Sequence, residues 1–218
     1  MAGALPSPAL CLITDETRSP RANEYTVRAA LSSGCRWVQL RHRRISALEF
    51  YRLALRLREL TDEHGAILIV NDRVDVALAA NADGVHLPGA GLTADAAREL
   101  IGTDKLIGQS VHSLDEIIAL EQSAVDYFQF GPVFDTASKR AYGAPQGLQA
   151  LRAACKAAKP RAVCAVGGIT SDNAQQAIDA DAAGIAVIGA IHEADDLPSV
   201  TTDLIAVQQR RSSTTPTD

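Results

Sequence analysis

A histidine and a lysine stand just beyond two consecutive apolar strands in the stretch Gly108–Lys139, GQSVHSLDEIIALEQSAVDYFQFGPVFDTASK. The run Leu106–Ser110 leads to His112, and Leu114, Ile117, Ile118 and Leu120 predict a helix over Leu114–Gln122. Asp126–Phe130 reads as the next strand and passes through Gly131 into a polar loop ending in Lys139. This is one βαβ unit, and in α/β proteins the carboxyl ends of the strands carry the chemistry. A neutral imidazole can take and give a proton near pH 7, so His112 suits acid–base work. Lys139 suits an anionic substrate. The plain alternatives are a surface histidine and an exposed loop lysine.

Other strand ends hold further candidates. Gln39-Leu40-Arg41-His42-Arg43 ends a strand, and alternation would set Gln39, Arg41 and Arg43 on one side, either toward an oxyanion or as a solvated basic end. Asn71-Asp72 could hold Mg²⁺ or cap the next helix. One carboxylate makes a poor magnesium site, and the following loop, Pro88-Gly89-Ala90-Gly91-Leu92, has no acid. Gly167-Gly168 and Gly189-Ala190 end two late strands, where backbone N–H groups can close on phosphate; ordinary turns are the competing reading. His86 has apolar strand neighbours and reads as a packing residue.

These residues need a scaffold that brings strand ends together. Strands are predicted at 9–14, 37–41, 66–70, 84–87, 105–110, 126–130, 162–166 and 184–188. Helices are predicted at 25–33, 47–63, 74–80, 94–100, 114–122, 149–159, 173–180 and 197–208. Ser46 with Glu49 forms a capping-box pattern ahead of the longest helix. Eight strands alternating with helices predict an α/β fold, a single-domain (β/α)8 TIM barrel over 1–210 with a disordered polar tail at 211–218. A doubly wound sheet is the rival, but no GxGxxG follows the first strand.

A net charge of −5 argues against a nucleic-acid partner. No apolar run reaches the about 18 residues of a membrane span, and the start MAGALPSPALCLITD lacks the basic region of a signal peptide. Cys11, Cys35, Cys155 and Cys164 have no metal-binding spacing and read as buried thiols, so a cytoplasmic location is expected. Homodimer and monomer are both open, because outer barrel helices serve either.

From about Leu12 to Ala190 the chain resembles the thiamin phosphate synthase family, and more closely its thiazole tautomerase (TenI-like) branch. The shared pieces are LITD at 12–15, QLRHR at 39–43, VNDRVDVAL at 70–78, ADGVHLP at 82–88, GQSVHSLDE at 108–116, DYFQFGPVFDTASK at 126–139, PQGL at 145–148 and VGGIT at 166–170. Synthases of this family join a pyrimidine methyl diphosphate to a thiazole phosphate with Mg²⁺. Their pattern implies Gln-x-Arg-x-Lys for the diphosphate, Asn-Asp for the metal, and a second acid closing a HLGQED loop. Here Arg43 replaces the lysine and Gly91 the second acid, while Asn71 and Asp72 are kept.

The departures match the tautomerase branch, which implies a metal-independent isomerase that aromatises a carboxythiazole phosphate, with His112 as acid and base and no cofactor. The resemblance further implies a phosphorylated thiazole as ligand. Gln39, Arg41, Arg43, Asn71, Ser110 and Lys139 would touch substrate, and Gly167, Gly168, Gly189 and Ala190 would hold its phosphate. The alternatives are a Mg²⁺-dependent synthase using Asp72, and a non-catalytic barrel that binds a thiazole phosphate and regulates.

Overall fold

The structure, a computed structural model, describes residues 5–136 and 144–212. Eight parallel strands close into a barrel in sequence order. They are β1 Leu10–Ile13, β2 Trp37–Leu40, β3 Ile67–Asn71, β4 Gly84–Leu87, β5 Leu106–Val111, β6 Tyr127–Phe130, β7 Ala162–Val166 and β8 Gly184–Val187. The helices are α1 Pro20–Ser32, α2 Ala47–Glu63, α3 Val74–Ala79, α4 Ala94–Ile101, α5 Leu114–Ala119, α6 Gly147–Ala157, α7 Ala174–Asp179, α8 Gly189–His192 and α9 Leu197–Ser212. The barrel predicted from the sequence is the barrel found.

Every strand is buried on both faces, which explains the near-continuous apolar runs. Alternation sorts the side chains into two cores. Leu10, Leu12, Val38, Leu40, Leu68, Val70, Val85, Phe128 and Ile185 point outward and pack under the helices. Cys11, Ile13, Trp37, Ile69, Leu106, Tyr127, Cys164 and Ala186 point inward and fill the barrel. Trp37 and Tyr127 meet edge to face there, ring centres 5.1 Å apart, a geometry that contributes about 1 kcal/mol beyond burial. All four cysteines are buried and none forms a disulfide among the described residues.

Local chemistry sets the helix starts. Ser46 and Glu49 make the reciprocal capping box. Ser19 accepts from Ala22 N–H at 3.2 Å and Pro20 opens α1, so the helix begins five residues ahead of the predicted Tyr25. Short α8 was not anticipated. Residues 211–212 continue α9 instead of starting a tail, while 213–218 lie outside the described residues.

Two repeated devices tie the amino end of the barrel. Asp83 Oδ2 accepts from Leu68 N–H at 2.7 Å and pairs with Arg58 of α2. Asp126 Oδ2 accepts from Ile107 N–H at 2.7 Å and pairs with Arg98 of α4 at 2.6 Å. A cavity of about 550 Å³ opens at this end, lined by Pro6, Pro8, Asp126, Tyr127, Arg161 and Gln208. It lies opposite the strand ends that carry chemistry in such barrels.

Candidate functional site

The carboxyl ends of the strands form a ring of polar groups. On β1 and β2, Thr14 Oγ1 accepts from Arg41 N–H at 2.8 Å and donates to Arg41 C=O at 2.9 Å, locking the two strand ends. Glu16, just past β1, then collects both guanidinium groups. Its Oε2 lies 3.2 Å from Arg41 Nη1 and 3.9 Å from Arg43 Nε. Burial pulls Arg41 below its ordinary pKa while Glu16 opposes the shift. Arg43 is the more open of the two, with 66% of its side chain exposed.

Gln39 does not join these arginines. It lies inside the barrel, and its Oε1 accepts from Gln129 Nε2 at 2.9 Å. The strand ends at Leu40, so the alternation read from the sequence does not extend to Arg41 and Arg43.

Asn71 closes β3, and Asp72 follows in the left-handed region at φ 66°. The cap of α3 falls on Arg73, which makes no side-chain cap bond, so Asp72 is not spent on capping. A Cβ placed on Gly91 would lie 3.0 Å from Asp72 Oδ1. The acid-free loop after β4 therefore folds back onto Asp72. Among the described residues no three His, Cys, Asp or Glu side chains gather to hold a metal. The donor set fits Mg²⁺ only in a shared site, since this ion is commonly held by one or two carboxylates together with substrate phosphates.

On β5, Ser110 Oγ lies 2.8 Å from His86 Nε2, and His86 Nδ1 lies 3.3 Å from Tyr127 Oη. His86 is buried in the barrel, but as a polar relay and not simply as packing. Burial lowers its pKa to about 3, so it is neutral. His112 is exposed at the end of β5. Its backbone N–H donates to Glu116 Oε2 at 2.7 Å, and Nδ1 pairs with the Gly131 carbonyl. A carbonyl only accepts, so Nδ1 carries a proton and donates to it.

Gly167 and Gly168 have φ of 91° and 68°. A Cβ on Gly167 would stand 2.6 Å from Pro132, and one on Gly168 would stand 2.5 Å from the Asp135 carbonyl. The β6 loop thus rests on this turn, and only glycine meets both demands. Gly189 and Ala190 open α8, with Glu193 bonding back from its N–H to Gly189 C=O at 2.9 Å. Lys139 lies outside the described residues. Sequence reasoning missed Glu16 and Gln129, and it took His86 for packing. The inward alternation of Gly84, His86 and of Tyr127, Gln129 was the signal available for two of them.

A closed barrel with cations after β2, a carboxylate after β3 and glycine turns after β7 and β8 defines a (β/α)8 protein with its charged groups gathered at the carboxyl ends of the strands. The chain belongs to the thiamine monophosphate synthase family, whose profile matches residues 10–191. A thiamine-phosphate synthase of Chlorobium limicola is 45% identical over 94% of this chain and 95% of its own length. One of Moorella thermoacetica is 40% identical, covering 91% and 94%. The structure of thiamine phosphate pyrophosphorylase from Pyrococcus furiosus superposes with a TM-score of 0.84 at 36% identity, covering 93% and 96%.

These similarities correct the tautomerase expectation. The relatives that match nearly end to end carry the synthase name, so the isomerase reading falls and the transferase alternative stands in its place. The physical reason is that loss of one metal acid, at Gly91, does not diagnose loss of metal chemistry when substrate phosphates supply oxygen ligands. Metal independence was argued from the isomerase reading and loses that support. Among the described residues no helix is long and apolar enough to cross a membrane.

Proposed function

We propose that the protein is a Mg²⁺-dependent thiamin phosphate synthase, a transferase that joins hydroxymethylpyrimidine diphosphate to a thiazole phosphate. The observation that carries this reading is the 45% identity, over nearly the whole of both chains, to a protein named thiamine-phosphate synthase. In the reaction the thiazole nitrogen lone pair forms the new bond to the pyrimidine methylene carbon. The C–O bond breaks, and its electron pair leaves with diphosphate. No proton is transferred in this balance.

The negative charge that develops on the diphosphate needs fixed cations. Arg41 and Arg43 supply two, and their common partner Glu16 holds the guanidinium groups side by side in the free protein. Asp72 would hold the metal, with Asn71 beside it. When bound, Mg²⁺ neutralises the leaving diphosphate. The backbone N–H groups of the turns at Gly167-Gly168 and Gly189-Ala190 would hold the thiazole phosphate. Ser110 stands near the carboxyl end of β5, Gln39 lies below it inside the barrel through its bond to Gln129, and exposed His112 follows β5. Lys139 carries a further cation in the sequence of the β6 loop.

The test is incubation of purified protein with both substrates, with and without Mg²⁺. Mg²⁺-dependent appearance of thiamin phosphate and diphosphate is expected. Folded protein that forms neither would overturn the reading.

A further inference from the structure

His86, Gly108 and Tyr127 lie side by side on β4, β5 and β6, paired in register His86 to Gly108 and Gly108 to Tyr127. Gly108 leaves the space in which the other two side chains meet. A Cβ there would fall within the Tyr127 phenol and 2.5 Å from His86 Nδ1. Any other residue at 108 would push the phenol and the imidazole apart.

The direction of the hydrogen bonds follows from what Tyr127 can do. Its side chain is fully buried, and among the described residues its hydroxyl has one hydrogen-bond partner, His86 Nδ1. If Nδ1 carried a proton, the phenol would accept and its own O–H would be buried unpaired, at a cost of about 1–3 kcal/mol. The phenol therefore donates to Nδ1. In a neutral imidazole the other nitrogen then carries the proton, so Nε2–H donates to Ser110 Oγ. Ser110 is half-buried at the mouth end of β5. With its oxygen accepting from below, its own O–H is left to point elsewhere.

We propose that His86 is a positioning residue that passes the orientation of the Tyr127 hydroxyl to Ser110, so that Ser110 presents a hydrogen-bond donor to a substrate acceptor in the mouth. The relay belongs to the free protein. Only the identity of the acceptor rests on the transferase reading, under which it is a ring nitrogen or phosphate oxygen of either substrate. A serine without this support would rotate among several partners, and its O–H would be ordered only at the time of binding.

Two measurements decide the matter. First, ¹⁵N NMR of histidine-labelled, substrate-free protein should show His86 protonated at Nε2 and bare at Nδ1. Tyr127→Phe, which keeps the ring against Trp37, should erode that preference. A His86 protonated at Nδ1 overturns the proposal. Second, Ser110→Ala and His86→Phe should each lower kcat/KM for thiamin phosphate formation about tenfold, the worth of one oriented hydrogen bond. The double variant should be no worse than Ser110→Ala alone. Additive losses overturn the proposal, because they would mean that His86 acts by another route. Should His86→Phe not fold, Tyr127→Phe combined with Ser110→Ala gives the same cycle. A wild type without synthase turnover would end the transferase reading and leave the tautomer measurement to decide the relay.

Discussion

Asp72 Oδ1 and the α-carbon of Gly91 face each other so closely that a Cβ on Gly91 would stand 3.0 Å from the carboxylate oxygen. The loop after β4 thus delivers a bare backbone to the one carboxylate at this strand end. Introducing an acid there adds a second hard oxygen ligand beside the first. Gly91→Asp is expected to raise the Mg²⁺ affinity of the substrate-free protein about tenfold in calorimetry, a gain of about 1.4 kcal/mol. The Pro88 ring, 2.9 Å from the new Cβ, must shift to admit it. Unchanged affinity in a folded variant would show that the loop does not address the metal.

Removal of the existing carboxylate should act in the opposite sense. Asp72→Asn keeps the shape and removes the charge. Synthase kcat/KM is expected to fall by at least about a hundredfold, roughly 3 kcal/mol, with a higher Mg²⁺ requirement. Initial rates across a Mg²⁺ titration check it.

His112 separates transferase from isomerase. The C–N bond is made without net proton transfer, so the exposed imidazole is not needed as acid or base. His112→Ala should retain thiamin phosphate formation to within about tenfold. A loss of a thousandfold or more would mean that proton transfer by this ring limits the reaction.

Arg41 is held by Glu16 at 3.2 Å, and its loss has two consequences. Arg41→Ala should raise KM for the diphosphate substrate at least about tenfold, as befits a lost charge-assisted contact. It also leaves Glu16 Oε2, a buried oxygen, with only the more distant and exposed Arg43 at 3.9 Å, a destabilisation of about 1 kcal/mol. Steady-state kinetics and chemical denaturation read the two effects separately.

The β7 turn should tolerate no side chain. Gly168→Ala places a Cβ 2.5 Å from the Asp135 carbonyl at a φ of 68°. Strain and overpacking together should cost about 3 kcal/mol. Thermal unfolding should show a clearly lowered midpoint.

Stability should also fall in acid through His86. Burial lowers its pKa from 6.5 to about 3, so between these values the unfolded chain binds a proton that the folded chain refuses. Unfolding free energy therefore rises with pH across this window, and the contribution is lost as pH falls from about 6.5 toward 3. Buried His192, lowered to about 4, acts in the same direction. His86→Gln should flatten the slope of denaturation free energy against pH between 6 and 4, by an amount on the order of 1 kcal/mol per pH unit. An unchanged slope would show that His86 does not remain neutral in the fold.

The sequence by itself determined the barrel and the ring of strand ends. Runs such as Ala66-Ile67-Leu68-Ile69-Val70, each closed by a polar or glycine turn, specify strands buried on both faces, and their number leaves little choice of closure. It likewise put Asp72, His112 and Gly168 at the carboxyl ends of their strands, because that is a matter of local order. What those residues touch was decided elsewhere. Gln39 meets Gln129, ninety positions away, only because β2 and β6 face each other across the closed barrel. Tyr127 reaches His86 only through the gap left by Gly108, a consequence of parallel register on three strands. Arg41 and Arg43 converge because Glu16 enters from another loop, not because they alternate along a strand. Local patterns are set by neighbours within a few residues, whereas the chemistry of a barrel mouth depends on contacts between distant strands that exist only once the sheet has closed.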